Sequence, residues 1–165
     1  MDGLTQNTGF NGLLTALVFL PFVFAFFIFI FSRNDNHVRL IAGFGGLVEL
    51  ILSIFVFIIY NRGDSGFQLI DRFSSWIPVE SFRVEYFLGV DGLSVPMVLL
   101  TGLLGMVAIL ASMGITHRVK QYFIWILILQ GAVFGVFTSL DFIMFFLFWE
   151  LELIPMFFLI SVWGT

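Results

Sequence analysis

Long apolar runs alternate with short polar ones along this chain, on a scale set by the thickness of a lipid bilayer. A helix crossing the hydrocarbon core needs about 20 mostly apolar residues at about 1.5 Å rise each. Five stretches satisfy this: about Gly12 to Phe31, Leu40 to Tyr60, Gly92 to Ile115, Tyr122 to Leu140 and Phe142 to Trp163. The second holds one charged residue, Glu49, and the fifth holds Glu150 and Glu152; the other three hold none. Only Ser139 to Asp141 separates the last two, which predicts a tight antiparallel helical hairpin. A long polar loop, 61–91, joins the second span to the third. Within it Phe82, Val84, Tyr86 and Leu88 alternate with Arg83, Glu85 and Phe87. That is the period of a half-buried strand, and it predicts a short strand or hairpin lying on the membrane surface. Asp91 stands ahead of the third span as an N-cap, with Gly92 and Ser94 beside it. The pattern therefore predicts an all-α, polytopic membrane protein. It has one transmembrane domain over 1–165, with five helices and a small surface strand or hairpin between the second and third.

The first span reads as retained rather than as a cleaved signal peptide. Its front end, MDGLTQNTGF, carries Asp2 and no Lys or Arg. Its apolar stretch is longer than a signal h-region, and no A-x-A site follows.

Composition agrees with a lipid solvent. Of 165 residues, 60% are hydrophobic, 11% are charged and 24 are Phe, and the mean hydropathy is +1.09. A soluble domain carries roughly 25% charged residues to wet its surface. The net charge of −4 argues against a nucleic-acid partner, which would need a basic stripe. With no Cys there is no disulfide framework, thiolate zinc site or Cys-ligated iron–sulfur cluster.

Lys and Arg bias sets orientation. The loops SRNDNHVR and THRVKQ hold Arg33, Arg39, Arg118 and Lys120, four of the seven basic residues. On the opposite side Arg62, Arg72 and Arg83 are diluted over a long loop, together with Asp2, Asp64, Asp71, Glu80, Glu85, Asp91 and Asp141. The N-terminus is thus expected on the non-cytoplasmic side.

Few residues could carry chemistry. His37 and His117 each fall in a short basic loop, not at mid-span where a pair could ligate haem. No G-x-G-x-x-G opens a helix after a strand, no phosphate-binding G-x-x-x-x-G-K-[ST] occurs, and no Ser/His/Asp set can be placed on one side of the membrane. The Gly43–Gly46 stretch, GFGG, lies inside a span and is expected to permit close helix packing. Three carboxyl groups remain, Glu49, Glu150 and Glu152, all near mid-span. Each costs roughly 2.5–3.5 kcal/mol at helix centre, which makes an intramembrane acid a candidate functional group by default. Glu150 and Glu152 point about 200° apart around a helix, so they cannot share one partner. Glu150 shares a face with Phe146, Ile154 and Phe157; Glu152 lies with Phe148, Pro155 and Met156. Pro155 lacks an N–H, so the Leu151 carbonyl loses its helical partner and a kink is expected there. The plainer reading makes each Glu a protonated packing group bonded to a neighbouring helix. That reading is preferred for Glu49, the proton-path reading for Glu150, and Glu152 stands open between them. The single Lys, Lys120, falls in a loop, and no Arg lies mid-span. A carboxylate relay working through a neighbouring cation would have to find it outside this chain.

From Phe82 onward the sequence resembles the proton-pumping, antiporter-like membrane subunits of respiratory complex I. It is most similar to the subunit 4 family, with M-type members in bacteria and D-type members in photosynthetic forms. The resemblance rests on Gly89-Val90-Asp91-Gly92-Leu93-Ser94 leading into the third span. It is stronger across Phe145 to Gly164, in Phe148-Trp149-Glu150, Ile154-Pro155-Met156 and Trp163-Gly164. The first 80 residues match in hydropathy only. The resemblance implies roughly fourteen helices with two inverted five-helix repeats, of which this chain would be the N-terminal third. It also implies that Glu150 pairs with a lysine on a later helix that carries the proton onward. No universal role is implied for Glu152, which varies between members.

The expectation that follows is a membrane-arm subunit of a proton-translocating NADH:quinone oxidoreductase. Glu150 would lie on the proton path, and Glu152 is a further candidate. No cofactor is expected in this chain; flavin and iron–sulfur clusters would reside in partner subunits. Expected partners are the other membrane-arm subunits, the lipid bilayer and a C-terminal part of the same subunit that supplies the lysine. The membrane would be an energy-transducing one: bacterial plasma membrane, mitochondrial inner membrane or thylakoid. Two rivals are a subunit of a multisubunit cation/proton antiporter, and a non-catalytic membrane scaffold in which the three Glu residues only pack.

Overall fold

The structure is a computed structural model describing residues 12–32, 34–63, 66–79 and 82–164, with the backbone alone over 73–79 and 82–84. Along the chain run α1 (Leu13–Phe31), α2 (Asp35–Ile59), β1 (Gln68–Val79), β2 (Phe82–Val90), α3 (Ser94–Ala111), a 3-10 turn (Ser112–Gly114), α4 (Val119–Thr138) and α5 (Phe142–Trp163). All five α-helices are long and apolar enough to cross a membrane, as the pattern predicts. The front end of the first span, MDGLTQNTGF with Asp2, lies outside the described residues, as do Arg33, Asp64 and Glu80.

Helix ends differ from the hydropathy limits by up to five residues. α2 begins at Asp35 rather than Leu40, so His37 and Arg39 are helical. α4 begins at Val119 rather than Tyr122, so Lys120 lies in its first turn and not in a loop. Hydropathy marks the part of a helix that meets hydrocarbon. The helix itself continues a turn further, where polar side chains reach the interface. Lys120 does this by donating from Nζ to the Phe29 carbonyl at 2.8 Å, across the C-terminal end of α1 where a cation offsets the helix dipole.

Helices α1 to α4 form a bundle, and α5 lies outside it against α4 and β2. Small residues set the spacing. A Cβ on Gly45 would meet Phe24 of α1 at 3.0 Å, and one on Gly46 would meet Ile109 of α3 at 2.8 Å. The GFGG stretch therefore does the close packing expected of it. Gly135 does the same for α5, since a Cβ there would run into the Phe148 ring. Trp125 stacks on Phe158 with ring centroids 4.7 Å apart, and Trp163 Nε1 donates to the His117 carbonyl at 2.8 Å, so α4 and α5 are joined along their length.

The loop after α2 is an antiparallel hairpin of β1 and β2, with register shifts between Gln68 and Asp71 and between Phe73 and Ile77. Of the alternating side chains, Leu88 is buried and Tyr86 half-buried; Phe82, Arg83 and Val84 have no described side chains. The hairpin holds one end of the bundle together. Asp71 of β1, fully buried, accepts hydrogen bonds from the Gly12 and Thr15 amides at 2.7 and 2.9 Å and from Thr15 Oγ1 at 2.8 Å. It thus caps the start of α1 from 56 residues away. Gly12 has φ 69°, the left-handed region that favours glycine, and this turns its N–H toward Asp71. The Leu140 amide donates to the Phe87 carbonyl at 2.9 Å, tying the α4–α5 turn to β2. Asp91 caps α3 as expected: its Oδ1 accepts from the Leu93 and Ser94 amides at 3.1 and 2.7 Å. Asp141 does the same for α5, accepting from Ile143 and Met144.

Two apolar clusters fill the bundle. One, at the hairpin end, includes Leu14, Leu17, Val18, Val56, Val95, Val98 and Phe134. The other, at the opposite end, includes Ala25, Ile28, Val38, Ala42, Ile109, Phe123 and Leu127. Every helix from α1 to α4 passes from one cluster to the other.

Candidate functional site

The three intramembrane carboxyl groups occupy three different surroundings. Glu150 stands near the middle of α5 and is exposed, on a face with Phe146, Ile154 and Phe157, which are 51%, 50% and 67% exposed. Among the described residues no other helix covers that face; the shallow groove around Glu150 is lined by α5 alone, including Leu147, Leu151 and Phe158. Glu152 is half-buried, on the side of α5 that carries the buried residues Phe148 and Pro155. The helical-wheel separation of the two acids is thus realised. α5 remains helical from Phe142 to Trp163 with Pro155 inside it, so the Leu151 carbonyl lacks the amide it would otherwise bond.

Glu49 differs from both. It is fully buried on the inner face of α2 with Gly45, Gly46, Ser53 and Val56. Neither carboxyl oxygen has a hydrogen-bond partner among the described residues. The structure does not bring the three acids together: among the described residues no three His, Asp or Glu side chains form a group able to hold a metal ion.

The cations are spent elsewhere. Lys120 reaches the Phe29 carbonyl and Arg39 the Ile115 carbonyl at 2.9 Å. Among the described residues the one ion pair is Arg72 with Glu85 on the hairpin, at 2.6 Å. His37 and His117 are both exposed, in the first turn of α2 and ahead of α4. No described cation meets Glu150.

Charge-directed reading of the sequence passes over one polar group. Gln130, 5% exposed, lies mid-way along α4 with both amide atoms buried and without partners among the described residues. The signal available was a lone amide in an otherwise apolar span.

No family model matches the chain. Among curated proteins it is 40% identical over 153 residues to NAD(P)H-quinone oxidoreductase chain 4 1 of Synechococcus elongatus, covering 92% of this chain and 28% of that one. It is 38% identical to chain 4-2 of Synechocystis sp., covering 92% and 27%, and 39% identical to the chloroplastic chain 4 of Mesostigma viride, covering 92% and 30%. The chain therefore spans under a third of the length of these relatives. A solved structure, the membrane-bound sulfane sulfur reductase described as an archaeal respiratory membrane complex, superposes with a TM-score of 0.72 at 19% identity. It covers 90% of this chain and 23% of the matched one, a likeness of fold. The resemblance carried by Gly89–Ser94 and Phe145–Gly164 is borne out, and the similarity reaches well beyond those motifs into the first two spans.

Proposed function

We propose that this chain serves in the membrane arm of a proton-translocating NAD(P)H:quinone-type oxidoreductase, with Glu150 as a carboxylate of its proton path. Electron transfer would take place on flavin and iron–sulfur clusters of partner subunits. One observation carries the assignment of Glu150: a carboxyl group sits near mid-span on a face of α5 that no other helix among the described residues covers. An acid facing lipid at that depth is costly, so the face is built to be covered by further polypeptide. A lysine on that polypeptide would hold Glu150 charged and exchange its influence with proton occupancy. The relatives' greater length leaves room for such a segment. The Leu151 carbonyl, freed by Pro155, adds an acceptor on the Glu152 side of α5.

Under this reading the hairpin and the N-terminus lie on the non-cytoplasmic side, and Arg39, Arg118 and Lys120 lie on the cytoplasmic, stromal or matrix side. The membrane is then an energy-transducing one of the kind that carries such a complex. Glu152 packs toward Phe148 and Pro155 and is the secondary candidate.

The test is Glu150→Gln in the assembled complex. Quinone reduction by the complex should persist while the number of protons pumped per electron falls. An assembled variant that pumps at the wild-type ratio would remove Glu150 from the path.

A further inference from the structure

Midway between the two apolar clusters the bundle contains a polar layer that the proposed Glu150 path does not use. On α2, Glu49 and Ser53 lie between Ala42 of one cluster and Val56 of the other. On α4, Gln130 lies between Leu127 and Phe134. α3 brings these to one depth. A Cβ on Gly102 would run into Ser53 and lie 3.5 Å from the Glu49 carbonyl, and one on Gly105, a turn further along, would run into the Gln130 amide. α1 contributes Pro21, buried between Val18 and Ala25, which leaves the Leu17 carbonyl without its helical amide.

Four atoms in this layer are buried without partners among the described residues: both carboxyl oxygens of Glu49, and Oε1 and Nε2 of Gln130. Neighbouring hydroxyls do not serve them as donors. Ser53 Oγ donates to the Leu50 carbonyl at 2.8 Å and Thr101 Oγ1 to the Met97 carbonyl at 2.8 Å. Buried polar atoms are nearly always bonded, to protein or to ordered water. The demand is mixed: Gln130 Nε2 must donate and Gln130 Oε1 must accept, while a protonated Glu49 carboxyl donates through its O–H and accepts through its C=O. A bare cation would satisfy oxygens and leave the amide N–H groups orphaned. Water both donates and accepts, so it can meet both kinds of demand. An open groove between α3 and α4, lined by Thr101, Leu104, Gly105, Ala108, Gln130 and Val133, reaches the Gln130 side of this layer.

We infer that the centre of the α1–α4 bundle is an internal water site, and that Glu49 is a second proton-bearing carboxyl group of this chain, reached along the α3–α4 groove past Gln130. A carboxyl so enclosed, with no described cation beside it, carries its proton, and water at Gln130 gives that proton an exit. Glu150 lies outside this bundle on α5, so the two sites are independent.

The test is infrared difference spectroscopy on the full complex in its membrane, with exchange from H2O to D2O. Wild type should show a protonated-carboxyl C=O band that shifts on exchange, and Glu49→Gln should lose it. Gln130→Leu should keep the band and slow its shift. If Glu49→Gln fails to accumulate, Glu49→Asp should displace the band. A band that survives Glu49→Gln, stays unmoved in Glu49→Asp, or never shifts in D2O in the wild type overturns the inference. So does a shift that Gln130→Leu leaves at its wild-type rate. Loss of pumping in Glu150→Gln with this band unchanged would separate the two proposals.

Discussion

Replacing Asp71 by Ala tests whether the surface hairpin holds the bundle closed. In the wild-type protein its carboxylate takes the Gly12 amide, the Thr15 amide and the Thr15 hydroxyl at 2.7, 2.9 and 2.8 Å. Hydrogen bonds to a charged acceptor are worth roughly 1.5–3 kcal/mol each, and loss of a helix N-cap roughly 0.5–2 kcal/mol. The three bonds share one group and are not additive. Thr15 Oγ1 also keeps its bond from Tyr86 Oη, at 2.9 Å. A net loss of about 3 kcal/mol is therefore expected for Asp71→Ala. Asp71→Asn keeps one acceptor but sets an amide donor against the Thr15 donors, so about half that loss is expected. Equilibrium unfolding of the chain in mixed micelles, titrated with SDS and followed by the fluorescence of its four Trp, reads the difference. Amide exchange at Gly12 and Thr15 should quicken in step. Because Asp71 is fully buried, water cannot replace it without opening the hairpin from α1. An Asp71→Ala variant within about 0.5 kcal/mol of wild type, the range of ordinary surface changes, would refute the clamp.

Two further outcomes follow from the packing and the caps. Gly135→Ala drives a Cβ into the Phe148 ring and should destabilise the α4–α5 contact by about 1–3 kcal/mol; adding Phe148→Leu should recover part of that in the same unfolding titration, and no recovery would place the damage elsewhere. The Ser94 amide, with help from Leu93 and the Ser94 hydroxyl, holds the Asp91 carboxyl below the usual Asp range. A group with a depressed folded-state value adds stability that is full above the usual Asp range and fades as pH falls through its own lowered value. Asp91→Asn should therefore flatten the acid limb of the stability profile, and an unchanged limb would count against the cap.

Hydropathy found all five helices because a bilayer fixes both their length and their composition. It misplaced ends such as those of α2 and α4 because Asp35, His37 and Lys120 are polar yet helical. Separating Glu150 from Glu152 needed only the helix period. β2 was legible from its alternation, whereas β1 was not, since its register slips twice and Leu69 sits at φ 54°, which breaks the period a strand would show. Asp71 gave no local signal either: it counted only as one more acid on its side of the membrane, and its partners lie 56 and 59 residues away. Gln130 escaped notice because an uncharged amide does not register in a search for charges, although in hydrocarbon its unpaired atoms are as conspicuous as a carboxyl.

Energy decides how the acids of α2 and α5 are to be read. A whole domain is stable by only about 5–15 kcal/mol, and one acid facing lipid at mid-span removes roughly 2.5–3.5 kcal/mol of that. Glu49 avoids the lipid by lying fully buried in the bundle, at the level of Ser53 and Gln130. Glu150 has no such layer among its neighbours: Phe146, Ile154 and Phe157 offer nothing polar, and α5 is apolar around most of its circumference. A helix of that kind is stable only when it is enclosed by protein or lipid on every side. α4 packs on one side of α5, and Glu150 stands on a side that no other described helix covers. On the proposed path Glu150 would be an interface group whose partner comes with further polypeptide, whereas Glu49 is enclosed by this chain's own helices.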